Sequence, residues 1–513
     1  MRRAAVIVVL ALLSLEPLPR ASADSVRVVA VERLAPRRPP VAPQPGPSGP
    51  PREVAPLRGG PGNASGVSPD ETLGPVQDSV VAASTPTPGL NFAGFAFNGS
   101  FPPDPAGEVG TTQFVHTANS IGGAEVAVFD KTTGAVVRNF MMSSLASSGV
   151  CQHGLGDGVP FFDQLDARWI LTEIATRRNS LCVYVSQTDD ATSSYTPYSI
   201  HFNVFPDYPK WAVWPNAFYL GFNNSGFSDP IVALNKATMI AGAPLMPNDV
   251  IVRNIGALPA FGFQLLSPVD LDGDTPPPAA APGVFVRHRA HDFVQYVELS
   301  PDFVHGTANV TGPVSVAVSS FNSRLCGRRS DRCVPQRGTT VRLDSLNQPV
   351  MNRPTMRVVG SDQLMVGSFT VNVGDSRAGV RWFELMRPAA TVSGSWTLDD
   401  EGTYAPKGLH RWVPSVDIDV NGDIALGFSA SSGRTFPSIR ITGRLAGDTQ
   451  GVMTQGETVL MTSAGAQTFA SRWGDYTEMS VDPVDGTTFW YTNEYLNRRG
   501  EWRTWISSFT LGP

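Results

Sequence analysis

Long apolar runs are almost missing from this 513-residue chain. The longest, Ala4 to Leu15, falls short of the about 20 residues that a membrane-spanning helix needs. No helical membrane span is expected. Helical periodicity is nearly absent as well, which points to an all-β chain. There is no basic excess: the net charge is −6, and a nucleic-acid partner would favour a basic face. No Cys-x-x-Cys occurs, so a zinc or thioredoxin-like site has no support. His-Glu-x-x-His, Gly-x-Ser-x-Gly and phosphate-loop patterns are missing too, which removes the easily recognised hydrolase and nucleotide signatures. A triad assembled from distant residues stays open.

What is present begins with an address. Met1-Arg2-Arg3, the apolar run and Ala21-Ser22-Ala23 form the basic, apolar and cleavage regions of a secretory signal peptide over 1–23. Residues 24–88 are rich in Pro, Gly and Arg. Such a segment cannot bury enough surface to offset its ordering entropy, so a disordered spacer is expected. Residues 89–513 have a uniform globular composition with no second Pro-rich linker. One monomeric domain is the simplest expectation. The four cysteines are an even number in a chain expected to be exported, which implies disulfides. Cys326 and Cys333 flank the short loop CGRRSDRC and are expected to close it, leaving Cys151 to pair with Cys182.

Short segments rich in Val, Ile, Phe, Tyr and Thr recur between turn residues, and they resemble one another. VGTTQFVHTAN (Val109–Asn119) and VWPNAFYLGFN (Val213–Asn223) share Val, Phe five positions on, and Asn five further. VGSDQLMVGSF (Val359–Phe369) keeps the first spacing with Leu364 in the Phe place. Looser copies hold Trp169, Phe285, Ile424 and Phe489. Repeats of about 40–50 residues with four strands each mark a β-propeller. With Phe114, Trp169, Phe218, Phe285, Leu364, Ile424 and Phe489 as anchors, a seven-bladed propeller is expected. Each anchor should lie on an innermost or next-innermost strand. A pair of β-sandwiches would explain the strands but not the recurring anchor.

PPDPAGEVGTTQFVHTANS, DQLDARWILTEI, FPDYPKWAVWPNAFYLGFN and RWGDYTEMSVDPVDGTTFWYTNEY resemble a family of exported bacterial proteins described as hypothetical secreted proteins. The resemblance covers nearly all of the globular part. It implies a propeller and export, with a remote likeness to sialidase-type propellers, and it supplies no catalytic residues. SVDPVDGTTFW (Ser480–Trp490) is similar to the Asp box of those propellers, with extra residues before Gly486. In the sialidase-type family that box is a structural turn.

Two metal-like patterns have plainer explanations. Asp417, Asp419, Asn421 and Asp423 alternate as calcium-loop ligands do, but the twelfth position holds Phe428 where a Glu is needed. Asn421-Gly422 between alternating strands is a hairpin signal. His288 and His291 would face opposite sides of a strand, so a surface or lightly structural role is expected for them and for His305.

The stronger candidates precede the innermost strands, because those loops face the central channel. They are Asp207, Tyr208 and Lys210; His410, Arg411 and Trp412; and Arg472, Trp473, Asp475 and Tyr476; Arg353, Arg440 and Glu494 join them. Converging arginines would suit an anionic ligand. Tyr and Asp would suit sugar hydroxyls or acid–base work on a glycosidic bond. The Arg-Trp pairs can equally be packing joints between blades. Two functions are therefore expected in competition. One is a secreted propeller that binds a polysaccharide, anionic in this reading, or a cell-surface protein partner. The other is a glycoside hydrolase or uronate-type lyase working at the channel.

Overall fold

Each alternating segment pairs antiparallel with its neighbour in sequence, so strand follows strand outward until the sheet ends and the next begins. This produces seven sheets of four or five strands, the blades of a propeller. The computed structural model describes residues 25–41, 52–53, 73–177, 179–224, 228–258, 265–289, 291–326, 332–346 and 349–512. The signal-peptide reading lies outside them, as do residues 327–331 inside the Cys326–Cys333 loop.

From the channel outward, the first blade is Ala106–Val109, Gln113–Ser120, Gly123–Asp130 and Val136–Met141. The second starts at Gly154–Asp163, the third at Asp207–Val213, and the fourth at Ser267–Pro268, after which Asp270–Leu271 crosses over to pair in parallel with the first strand of the fifth. The fifth starts at Thr355–Val359, the sixth at His410–Ile418 and the seventh at Glu478–Val481. Thr87–Ala96 pairs with Trp502–Thr510 and supplies the outer strand of the seventh blade. The ring is thus closed by joining the two ends of the globular part. All seven anchors sit on the second strand of their blades and are largely or wholly buried. The sandwich alternative is overturned.

The position three residues past each anchor carries the close packing between neighbours. It holds Gly221, Gly367 or Gly427 in three blades and Thr117, Thr172 or Thr492 in three others. A Cβ on Gly427 would overlap the Tyr491 ring of the seventh blade. Thr172 instead donates to the carbonyl of Val159 at 3.1 Å. In the fourth blade the position is His288, buried and stacked on Phe369 with ring centroids 4.4 Å apart. Of the surface or lightly structural role expected for His288, the surface part is corrected and the structural part stands: three past a buried anchor, it faces the interior. His305 is exposed and bonded to Asp302 at 2.7 Å.

The disordered-spacer reading of 24–88 is corrected for the stretches that the structure describes. Val28–Arg33 adds a fifth strand to the second blade, pairing with Tyr195–Phe202. Gln77 bridges Tyr404, and Ser84 bridges Gln455. These short pieces bury little of their own surface, but each borrows the hydrogen-bonding edge of a blade already formed. Composition alone does not reveal that edge. Both disulfides form as expected, Cys151–Cys182 and Cys326–Cys333.

Candidate functional site

Four innermost strands begin with the same backbone device. Asp104, Asp157, Tyr208 and Val413 take left-handed φ values of 45°, 52°, 54° and 48°. At the last three, the register with the second strand slips. Such a bulge bends the strand end and re-aims its side chains. Here it turns Asp157 and Tyr208 toward the channel mouth, where Asp104 and, from the seventh blade, Asp475 and Tyr476 meet them.

The residues then lock together. Tyr208 and Tyr476 pack with ring centroids 5.0 Å apart and planes tilted by 54°, and the Lys210 Nζ sits 3.6 and 3.3 Å from the two centroids. Tyr208 Oη donates to the Asp475 carbonyl at 3.0 Å. Tyr476 Oη donates to the Pro209 carbonyl at 3.1 Å and lies 3.3 Å from the Asp157 carboxyl. Asp104 accepts from the Asp475 amide at 2.6 Å. Arg472 is held by Asp475 at 2.5 Å and by Asp344 at 3.7 Å. Glu494 accepts the Gly474 amide. Tyr208 is 1 % exposed and Lys210 0 %, so this is an interior cluster and not an open rim.

A second layer lies deeper in the channel. Arg353 reaches Glu108, Asp270 at 3.1 Å and Glu478 at 3.2 Å, carboxylates from the first blade, from the strand that crosses from the fourth blade to the fifth, and from the seventh. Arg357 binds Asp272 at 2.8 Å. One guanidinium thus ties three blades across the channel.

Carboxylates outnumber cations in both layers, and burial disfavours their charge. Desolvation, with Asp475 adding repulsion, raises Asp157 to about 6. Desolvation raises Asp207 to about 7 and Glu494 to about 8. Asp104 is pushed well up by burial and by Asp475. Burial also drives Lys210 well below its usual range, against the pull of Asp157 and Asp475.

The mouth is covered. Residues between the fourth and fifth blades form a plug in which Arg332–Val334 pairs with Leu343–Asp344, stapled by Cys326–Cys333. Leu325, Leu343 and Leu346 pack into one apolar cluster with Tyr208, Trp412, Trp473 and Tyr476. Gln336 donates to the Gln467 carbonyl at 2.7 Å and holds the plug to the segment before Arg472.

Of the predicted site residues, the structure brings together Asp207, Tyr208, Arg472, Asp475, Tyr476 and Glu494. It does not bring Arg411 or Arg440 to them. Both bind Glu457, at 2.8 and 2.6 Å, on the outer strand of the sixth blade. The reason is strand alternation. Trp412 points to Trp473 of the seventh blade, with ring centroids 5.7 Å apart, so Arg411 points the other way, toward Tyr404 and Phe428. The Trp residues are blade joints. An anionic ligand is also poorly served at this mouth, because Arg472 is already paired and acids surround it. Sequence reading missed Asp104, Asp157 and Asp344. Asp104-Pro105 was detectable, because it matches Tyr208-Pro209 and Val413-Pro414 at the same strand position.

The calcium-like pattern folds as a plain turn. Asp419 accepts the amides of Asn421 at 2.8 Å and Asp423 at 2.9 Å, and Gly422 has φ +85°. Among the described residues, no group of three His, Cys, Asp or Glu side chains is placed to hold a metal ion. No helix among them is long and apolar enough to cross a membrane.

The fold and its filled channel define a seven-bladed β-propeller. No protein-family model matches the chain, and no curated protein sequence matches it significantly. Solved structures are remotely similar. Hydrazine synthase of Kuenenia stuttgartiensis is 11 % identical with a TM-score of 0.38, over 82 % of this chain and 96 % of that one. An α-L-arabinofuranosidase of Fusarium graminearum is 9 % identical with a TM-score of 0.33, over 85 % and 98 %. The WD40 domain of Toxoplasma gondii coronin is 8 % identical with a TM-score of 0.36, over 85 % and 90 %. Likeness this remote carries nothing about activity.

Proposed function

We propose that the protein is an exported binding propeller that engages a polysaccharide through clefts between its blades and not through its central channel. The observation that carries this reading is the state of the channel mouth. Asp207, Tyr208, Arg472, Asp475 and Tyr476 converge, but all are buried beneath the plug, with Tyr208, Arg472, Asp475 and Tyr476 engaged with one another and their backbones. They hold blades together. Among the described residues, open clefts of about 200–400 Å³ lie at the joints and edges of blades. Volumes of this order lie at and below the lower end of small-ligand pockets, about 300–1,000 Å³, which suits single sugar residues. The two disulfides and the signal-peptide pattern support export.

One observation favours a carbohydrate-active enzyme as the second reading. Asp157 at about 6 and Asp207 at about 7 flank two tyrosines, which is acid–base equipment beneath the plug. Both readings are tested by incubating the purified protein with a polysaccharide panel, scoring retention and new reducing ends. Retention without chain cleavage is expected. New reducing ends that vanish in Asp207→Asn would overturn the binding reading.

A further inference from the structure

A cleft of about 290 Å³ lies between the fifth and sixth blades. Its walls include Asp362, Glu384, Asp399 and Asp400 of the fifth blade and Asn421 and Gln450 of the sixth. Glu384 and Asp400 stand directly opposite each other in the antiparallel ladder. Like charges so placed destabilise a sheet unless something compensates. Just beyond them the register slips by one, and the extra residue is Asp399. A bulge re-aims a side chain, and Asp399 joins the same wall.

The compensation inside the protein is incomplete. Arg444 binds Asp400 at 2.6 Å but lies 4.0 Å from Glu384. Asp400 also accepts the amides of Glu401 at 2.7 Å and Gly451 at 2.8 Å. Glu384 is only 4 % exposed, yet it lines the cleft, and its carboxyl has no hydrogen bond among the described residues. Desolvation, then repulsion from Asp399, raises that carboxyl to about 7. A buried carboxyl with one cation 4.0 Å away and two acidic neighbours is left to hold a proton or to take a further cation.

The lining of the cleft restricts which one. Metal-holding triads of His, Cys, Asp or Glu are missing among the described residues. A lysine stem would fit an apolar lining, whereas this cleft mixes Leu364 and Met386 with the amides of Asn421 and Gln450. Apolar patches take the C–H face of a sugar ring, and amides and carboxylates take its hydroxyls.

We propose that the cleft is a subsite for an amino-sugar residue, its ammonium group seated between Glu384 and Asp399. This rests on the polysaccharide-binding reading and names the sugar it selects.

The test is calorimetric titration of the full chain with glucosamine oligomers, their N-acetylated counterparts, free lysine and calcium chloride. Glucosamine oligomers should bind at least about tenfold more tightly than the acetylated ones, since acetylation removes the charge from the hydrogen bond. Glu384→Gln and Asp399→Asn should each weaken that binding by about tenfold or more. Asp399 is exposed, so its variant keeps the test alive if Glu384→Gln fails to fold. Equal affinity for both oligomers, unchanged affinity in Asp399→Asn, or tighter binding of lysine or calcium would overturn the proposal. If other polysaccharides are retained without preference for free amines, only this subsite fails. If none is retained, the binding reading fails with it.

Discussion

Tyr208 and Tyr476 hold each other across the channel mouth by reciprocal exchange. Each hydroxyl donates to a backbone carbonyl next to the other ring, Tyr208 to Asp475 at 3.0 Å and Tyr476 to Pro209 at 3.1 Å. The third and seventh blades are not neighbours in the ring, so this latch braces the propeller across its axis. Lys210, over both rings, extends it. Tyr208→Phe and Tyr476→Phe should each cost about 1–3 kcal/mol, because each leaves a buried carbonyl short of a donor. The double variant should cost less than the sum by about 0.5 kcal/mol or more, since the two share one contact. Urea unfolding of the four proteins measures this. Strict additivity would show that the two bonds act independently.

Arg472 separates a structural channel mouth from a ligand site. It is 2 % exposed and lies between Asp475 and Asp344, one from the seventh blade and one from the plug. Replacing it with Ala strands buried carboxylates, a loss of about 3–5 kcal/mol. Arg472→Ala should therefore lower the melting temperature and leave the polysaccharide affinity of the intact fraction unchanged. An unchanged melting temperature with lost affinity would return Arg472 to the ligand.

The seven anchor strands were legible because burial imposes period-two alternation, and a shared packing role imposes similar anchors such as Phe114 and Phe218. Blade closure by Thr87–Ala96 and the added strand Val28–Arg33 were not legible. Their pairing uses backbone groups, which leave little mark on side-chain pattern. The channel cluster was half legible. Asp207, Tyr208, Asp475 and Tyr476 stand where inner strands begin, but Arg411 shows the limit. One step of alternation carried it to Glu457. Burial was invisible too, because the plug that covers the mouth lies between blades in sequence and resembles a loop.

Gly427 tests the packing rule behind the blades. It lies three residues past the anchor Ile424, against the Tyr491 ring. Gly427→Ala should cost about 1–3 kcal/mol through overpacking. Gly433, at the next hairpin turn of the same blade, has no neighbouring atom within 4 Å of where a Cβ would sit, and it serves as the control. Gly433→Ala should change stability by less than about 0.5 kcal/mol, as surface changes usually do. Paired thermal melts decide. Equal melting temperatures for both variants would show that this joint has room for a methyl group.

The channel's surplus of acids also sets a pH dependence. Burial raises Glu108 and Glu494 to about 8, and Asp207 and Glu478 to about 7. Their unfolded-state values lie near 4, so between these limits the folded protein holds protons that the unfolded chain has released. The stability so contributed is fully present below the unfolded values and is lost as pH rises through 7 and 8. Two histidines act in the opposite sense. His116 and His410 are lowered by burial to about 4, so they add stability as pH rises toward about 6.5 and nothing beyond. Lys210, also lowered by burial, opposes the acids as a single group. The clean window is therefore about pH 6.5 to 8, where the melting temperature should fall. Glu494→Gln removes one of the titrating groups while its amide oxygen can still accept from Gly474. The slope across that window should then become shallower. A melting temperature that is flat or rising from about pH 6.5 to 8 would show that the channel acids are ionised in the folded protein.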